Sequence, residues 1–254
     1  MAIIPVLFVF MISISSEESI RVSGYSFVPQ SFSNSAYMFL WNERATILSA
    51  LWISVLVTVS GTVLGLALTT TMGYVLSRPG FKLKGFYTWV VFIPMIFNGG
   101  MVASYVVNAN ILNMKNTIWA LIIPKIAVAY NFFLVKQFCE QLPDSILEAA
   151  RIDGCSHLRI YLKIALPLST SILVAMGILT VLYAWNDLLW PIIVTSSDKS
   201  RVLSVFIAAI KGEHNNKLPL LMAGGTLSVM PMIVCFILGQ KYFVTAITMT
   251  GLKD

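Results

Sequence analysis

The sequence predicts an all-α protein that crosses the membrane several times, and three observations carry that prediction. First, of its 254 residues 57% are hydrophobic and 11% charged, whereas soluble domains carry roughly 25% charged residues. Mean hydropathy is +0.83. Second, no charged side chain occurs from Ala45 to Ser77, from Gly85 to Met114 or from Leu218 to Gln240. Uncharged apolar runs of about 18 residues or more read as membrane helices, because about 20 residues cross the hydrocarbon layer. Third, the charge is gathered into segments between those runs, among them "EAARIDGCSHLRIYLKIALPLS", Glu148 to Ser169.

Taken in order, six spans are expected, at about 1–15, 46–77, 85–107, 117–138, 168–194 and 218–240, within one transmembrane domain covering 1–254. The opening "MAIIPVLFVFMISIS" lacks the basic start and cleavage site of a signal peptide. It reads as a short first span, ragged or clipped at its beginning. The polar, Ser-rich stretch 16–45, with Gly24 and Pro29, is expected to be an ordered external excursion. The second span is too long for one perpendicular helix, so part of it tilts or emerges. "SRPGFKLKG" (77–85) is a tight basic turn holding Arg78, Lys82 and Lys84. Residues 139–167 form a long, charged, helix-forming loop, and 195–217 a polar loop of mixed charge.

With the N-terminus inside, the interior face holds Arg78, Lys82, Lys84, Lys136, Arg151, Arg159, Lys163, Lys241 and Lys253. The exterior holds Arg21, Arg44, Lys115, Lys199, Arg201, Lys211 and Lys217. The asymmetry is slight, and the short 78–84 turn counts most for orientation. The external bases are either a solvated rim or an attraction for an anionic solute. A net charge of +6 fits basic loops of a membrane protein better than nucleic-acid binding, since no basic stripe with interleaved aromatics exists. Cys139, Cys155 and Cys235 lack metal-ligand spacing and read as free thiols. His157 and His214 lie on loops without partners for metal or catalysis. Neither a Ser/His/Asp arrangement nor a paired acidic constellation is present, so no catalytic residue is expected. The phosphate-binding pattern G-x-x-x-x-G-K-[ST] is also missing.

Within the charged loop, Pro143 and Asp144 signal a helix start. Ser145 to Ile152 give two turns, Gly154 a stop, and Ser156 a cap for a second helix, His157 to Leu166, which Pro167 ends. Ile146, Ala149 and Ala150 are expected on one side, with Glu148 and Arg151 projecting elsewhere. Two adjacent alanines would let another protein's surface come close to the backbone. Spacing by itself leaves two readings open: an amphipathic helix lying in the membrane interface, or a helix inserted into a cleft on a partner.

The wording of the loop resembles the "EAA" loop of permease subunits of binding-protein-dependent ABC importers: E-A-A, then Asp153-Gly154, then Ile164 and Leu166-Pro167, between late spans of a six-span chain. "YAWNDLLWPIIV" (183–194) and the ending "QKYFVTAITMTGLKD" are similar to the carbohydrate-uptake, MalG-type group, with Ala246 where glycine is common. The resemblance covers nearly the whole chain and looks closest to permeases for complex or plant-derived oligosaccharides. A further departure is that no cytoplasmic tail precedes the first span; Cys155 occupies a slot expected to be small, often alanine.

The resemblance implies an ABC type I importer permease fold. It implies that Glu148, Ala149, Ala150, Asp153 and Gly154 sit in a coupling helix docked in a groove of an ATPase subunit. It also implies a second, related permease, two ATPase subunits that bind ATP and magnesium, and an extracellular solute-binding protein. No cofactor or metal is expected in this chain, nor ATP hydrolysis by it. The expected location is the bacterial cell membrane, and the expected solute is a sugar, an oligosaccharide, with acidic ones among the candidates. An ABC permease for another small solute would share the loop. An ion-coupled secondary transporter should show inverted repeats and broken helices, and no internal repeat is visible.

Polar residues inside predicted spans are costly and usually face the bundle or a cavity. Lys125, after Pro124, either lines a cavity or snorkels outward. Asp187 either pairs within the protein or serves the pathway. Lys125, Tyr130, Asn131, Tyr183, Trp185, Asn186 and Asp187 are the candidate pathway residues: aromatic faces stack on sugar rings, and amides and carboxylates bond hydroxyls. The alternative for the same residues is interhelical packing and hydrogen bonding. Gly61-x-x-x-Gly65, Gly99-Gly100 and Gly224-Gly225 permit close helix contact.

Overall fold

A computed structural model describes residues 3–197, 200–213 and 217–251. Lys199, His214, Lys253 and the last residues of the quoted C-terminal ending lie outside the described residues, and for Lys241 and Ala246 only the helical backbone is described. Among the described residues everything regular is helical. The one extended contact is an isolated bridge between Ser15 and Phe32.

The helices are α1 (Ile3–Ser13), α2 (Glu17–Ser23), α3 (Ser35–Asn42), α4 (Arg44–Ser77), α5 (Lys84–Ile96), α6 (Gly100–Val106) and α7 (Ile118–Ile126). They continue with α8 (Ala129–Glu140), α9 (Asp144–Ile152), α10 (His157–Leu168), α11 (Thr170–Trp185), α12 (Leu189–Val194), α13 (Leu203–Glu213) and α14 (Leu218–Gly251). A helix rises 1.5 Å per residue, so α4, with 34 residues, is about 51 Å long and longer than the hydrocarbon layer. Its outer side carries exposed Leu48, Trp52, Val59 and Val63, as a lipid-facing surface requires.

By length and apolar composition, α4 and α14 (through Ile237) each suffice to cross a membrane. Two bent pairs do so together: α7 with α8, at 40°, and α10 with α11, at 75°. The continuous helix expected over 85–107 is interrupted instead. Pro94 removes one N–H from α5, and the chain then turns through Asn98, whose Oδ1 accepts from the Gly100 N–H at 2.9 Å, with Gly100 at φ +75°. The expected 117–138 helix breaks at Ala127–Val128, where Val128 is extended; Pro124 has already weakened the ladder one turn earlier. The expected 168–194 helix ends at Trp185 and restarts as α12, whose first turn is held by Asp187 Oδ1 accepting from the Trp190 N–H (3.4 Å). The loop at 195–217 contains α13, and α14 runs beyond the expected end at 240.

The chain divides into two compact units. One comprises the segments up to Leu56, Asn116–Ile118 and Trp185–Ile237. Its core gathers Leu40, Ile47, Ala50, Trp185, Phe206 and Leu220. Ser54 Oγ of α4 accepts the first N–H of α13 from Leu203 at 2.7 Å, satisfying a buried helix terminus. The external stretch is ordered as expected: Ser16 caps α2 and the Ser13 and Tyr37 hydroxyls meet at 2.8 Å.

The other unit comprises Val57–Lys115, Trp119–Ala184 and the segment from Leu238 onward. Its core joins α4, α8, α9, α10 and α11 through Tyr74, Val135, Cys139, Leu147, Ala150, Ile160 and Met176. The glycines of α4 set the helix spacing here. A Cβ on Gly65 would lie 3.3 Å from the carbonyl oxygens of Lys125 and Ile126, and one on Gly73 would lie 2.7 Å from Val135 Cγ1. Thr70 Oγ1 and the Tyr161 hydroxyl meet at 2.8 Å, and the Tyr74 and Tyr161 rings lie 5.3 Å apart.

Candidate functional sites: a docking loop and a buried lysine

Helix α9 forms because Asp144 opens it and Arg151 closes it, each matching the dipole at its end. Its stop is a Schellman motif: the Gly154 N–H donates to the Arg151 carbonyl and the Cys155 N–H to the Ala150 carbonyl, both at 3.0 Å. Gly154 sits at φ +77° with nothing within 4 Å of a built Cβ, so glycine is needed for conformation and not for room. Cys155 is partly buried against the cluster that contains Ala150. This is the apolar contact that accompanies a Schellman stop, and it gives the small residue at that slot its reason. Ser156 Oγ then accepts from the Arg159 N–H to cap α10.

The expected bare face of adjacent alanines is corrected. Leu147 and Ala150, three residues apart, point inward at 3% and 7% exposure. Ala149 faces outward with Ile146, Glu148 and Ile152. The two alanines thus do different work: Ala150 lets α9 lie close on the core, and Ala149 belongs to the outer surface. Asp153 is exposed at the C-cap, its N–H bonded to the Ala149 carbonyl. The sequence reading missed Leu147, although the (i, i+3) spacing of Leu147 and Ala150 was the available signal.

Lys125 is 4% exposed in the last turn of α7. Its stem passes over Gly61, where a Cβ would lie 3.6 Å from Lys125 Cβ, and its Nζ stands 5.6 Å from the centre of the Tyr183 ring, within cation–π range. The ammonium therefore does not snorkel to the surface. Asn131 Nδ2 donates to Thr180 Oγ1 at 3.3 Å, and Thr180 precedes Tyr183 by three residues on α11. One face of α11 thereby brings Lys125, Asn131 and Tyr183 together. Tyr130 and Tyr183 are exposed, at 56% and 67%. Thr180 is the member of this group that the sequence reading did not single out.

Trp185, Asn186 and Asp187 lie in the other unit. Trp185 is buried in its core and donates Nε1–H to the Ser228 carbonyl at 3.1 Å. Asp187 accepts from the Trp190 N–H, and its own carbonyl accepts from Ser204 Oγ at 2.8 Å. These contacts tie Trp185 to α14 and Asp187 to α12 and α13. Asn186 is exposed. Among the described residues, no group of three or more His, Cys, Asp or Glu side chains is placed to hold a metal ion.

Long apolar helices, broken spans and a glycine-stopped helix on a charged loop define a helical membrane protein of several spans. The sequence pattern of one such family, "Binding-protein-dependent transport system inner membrane component", matches residues 61–249, and the chain belongs to that family. It is accordingly a multi-pass permease component of the ABC importer class in the cell membrane. Among relatives, the "Arabinooligosaccharides transport system permease protein AraQ" of Halalkalibacterium halodurans is 29% identical over 99% of this chain and 91% of its own. The "Polygalacturonan/rhamnogalacturonan transport system permease protein YtcP" of Bacillus subtilis is 30% identical over 82% of this chain and 72% of its own. A solved structure of a bacterial ABC transporter involved in the import of the acidic polysaccharide alginate contains a chain that superposes with a TM-score of 0.85, at 25% identity. That match covers 95% of this chain and 91% of the other.

Proposed function

We propose that this chain is the sugar-translocating permease subunit of an ATP-driven importer, paired with a second, related permease. In this reading two separate ATPase subunits bind ATP and magnesium, and an extracellular solute-binding protein delivers the cargo. The observation that carries the reading is α9: a rigid two-turn helix anchored on one side by Leu147 and Ala150, offering Ile146, Glu148, Ala149 and Ile152 on the other. Such a helix, with Asp153 and Gly154 setting its end, conveys rigid-body motion between an ATPase groove and the spans. Closure of the ATPases on ATP opens the pathway outward, and hydrolysis resets it inward. Glu148→Lys tests the docking: the ATPase subunits should no longer co-purify with the permease. Retention of both the ATPases and wild-type transport would refute it.

For the solute, the names of the relatives support an oligosaccharide, and Lys125 favours an acidic one. A buried ammonium beside an exposed tyrosine suits a uronate-type residue, whose carboxylate pairs with the cation while its ring packs against the aromatic. Reconstituted transport of galacturonate and arabinose oligomers by wild type and Lys125→Met separates the possibilities. The substitution should depress uptake of the acidic oligomer selectively; an equal effect on both would remove Lys125 from recognition.

A further inference from the structure

The basic turn at 78–84 does more than orient the chain. Arg78 is nearly enclosed, its side chain 12% exposed, and each of its three guanidinium nitrogens has a separate partner. Nε donates to Ser77 Oγ at 2.9 Å in α4, Nη2 to the Cys139 carbonyl in the last turn of α8, and Nη1 to Asp144 Oδ1 at 3.4 Å, the first residue of α9. The Tyr74 ring lies beneath, 5.3 Å from the guanidinium carbon. At the other end of the turn, Lys84, which opens α5, reaches Glu140 Oε1 at 3.1 Å, and Lys136 reaches the same oxygen at 3.0 Å. The basic turn therefore grips the junction between α8 and α9 at two points.

We propose that Arg78 is the positioning residue that latches the docking helix to α4, so that movement of α9 is passed to a span remote from it in sequence. The inference rests on the proposed docking of α9 to an ATPase. Along the chain α9 is joined only to α8 and α10. A displacement reaches α4 through contacts, and the guanidinium spans α4, α8 and α9 simultaneously. A rigid fork with donors on three separate nitrogens suits that task; an ammonium also has three donors, but all on one nitrogen at the tip of a flexible stem, and cannot reach partners set around both the ε and the η positions. The requirement is thus for arginine and not merely for positive charge.

That distinction supplies the test. Arg78→Lys keeps the charge that orients the turn and favours the α8 terminus, but loses the fork. In the complete transporter reconstituted into liposomes, with labelled arabinose and galacturonate trimers as solutes, the ratio of solute moved to ATP hydrolysed should fall by about five-fold or more, the lower range of coupling between distant sites. Asp144→Asn should lower the same ratio less. The double variant should be no worse than Arg78→Lys, because both changes act on one latch. A wild-type ratio in Arg78→Lys would overturn the proposal by showing that charge suffices. Transport and hydrolysis falling in parallel with thermal stability would also overturn it, leaving Arg78 a purely structural role. Co-purification of the ATPases with Glu148→Lys reports separately on docking, so failure of the latch and failure of the docking reading are distinguishable.

Discussion

Gly73→Ala is the sharpest probe of how α4 sits on α8. The added methyl would lie 2.7 Å from Val135 Cγ1 and 3.1 Å from both Val135 Cβ and the Lys136 backbone nitrogen. Val135 is 1% exposed and β-branched, so its side chain has almost no alternative rotamer, and a backbone nitrogen cannot step aside. The helices must separate by several tenths of an ångström. Overpacking of this kind costs about 1–3 kcal/mol, offset by about 0.5–1 kcal/mol from replacing glycine inside a helix. The net is a loss of about 0–2.5 kcal/mol, and each kcal/mol lowers Tm by about 2–4 °C in a chain of this length. Gly85→Ala is the control, since nothing lies within 4 Å of its built Cβ. Thermal unfolding of the purified membrane protein, followed by tryptophan fluorescence, should place Gly73→Ala below wild type and Gly85→Ala at or above it. Adding Val135→Ala to Gly73→Ala should cost less than the sum of the two separate changes, because the second makes room for the first. A Tm for Gly73→Ala equal to that of Gly85→Ala would show that the close approach is not real.

Other expectations follow from the same contacts. Ala150→Leu forces side-chain bulk into the core under α9 and should lower stability by about 1–3 kcal/mol; Ala149→Leu, on the outer face, should leave Tm unchanged yet weaken ATPase co-purification. Gly154→Ala places a Cβ at φ +77° and should cost about 1–2 kcal/mol, while Ser156→Ala removes a helix cap worth about 1 kcal/mol; both are read as lower Tm, with protease cleavage in the loop as a local check. Trp185→Phe keeps a packed ring but removes the bond to the Ser228 carbonyl, for a loss of about 0.5–1.5 kcal/mol.

The punctuation of the loop was legible in the sequence because it is local chemistry. Gly154 and Ser156 are read from backbone preferences that hold wherever they occur, and the structure places a left-handed stop at one and a cap at the other. The inward face of α9 was not legible in the same way. Ile146, Ala149 and Ala150 share a helical side as validly as Leu147 and Ala150 do, and only the neighbours select between these faces. The interruptions of the spans fall between the two cases. Pro94 and Pro124 were available as signals, but the spans were expected to be continuous, because uniform hydropathy masks a break: a membrane rewards apolar content whether or not the helix is straight.

By itself the sequence determined the helical membrane class, the charged loop with its caps, and the kinship with importer permeases. Each is set by composition, by short-range backbone preference or by a motif contiguous in the chain. Tertiary structure alone decided that Ala150 is a core residue and Ala149 a surface one, and that Lys125 is buried beside Tyr183 and not extended to the interface. It also decided that Arg78 joins three helices. Those outcomes depend on which residues distant in sequence arrive within a few ångströms, and a guanidinium's worth as a latch exists only once its three partners have converged.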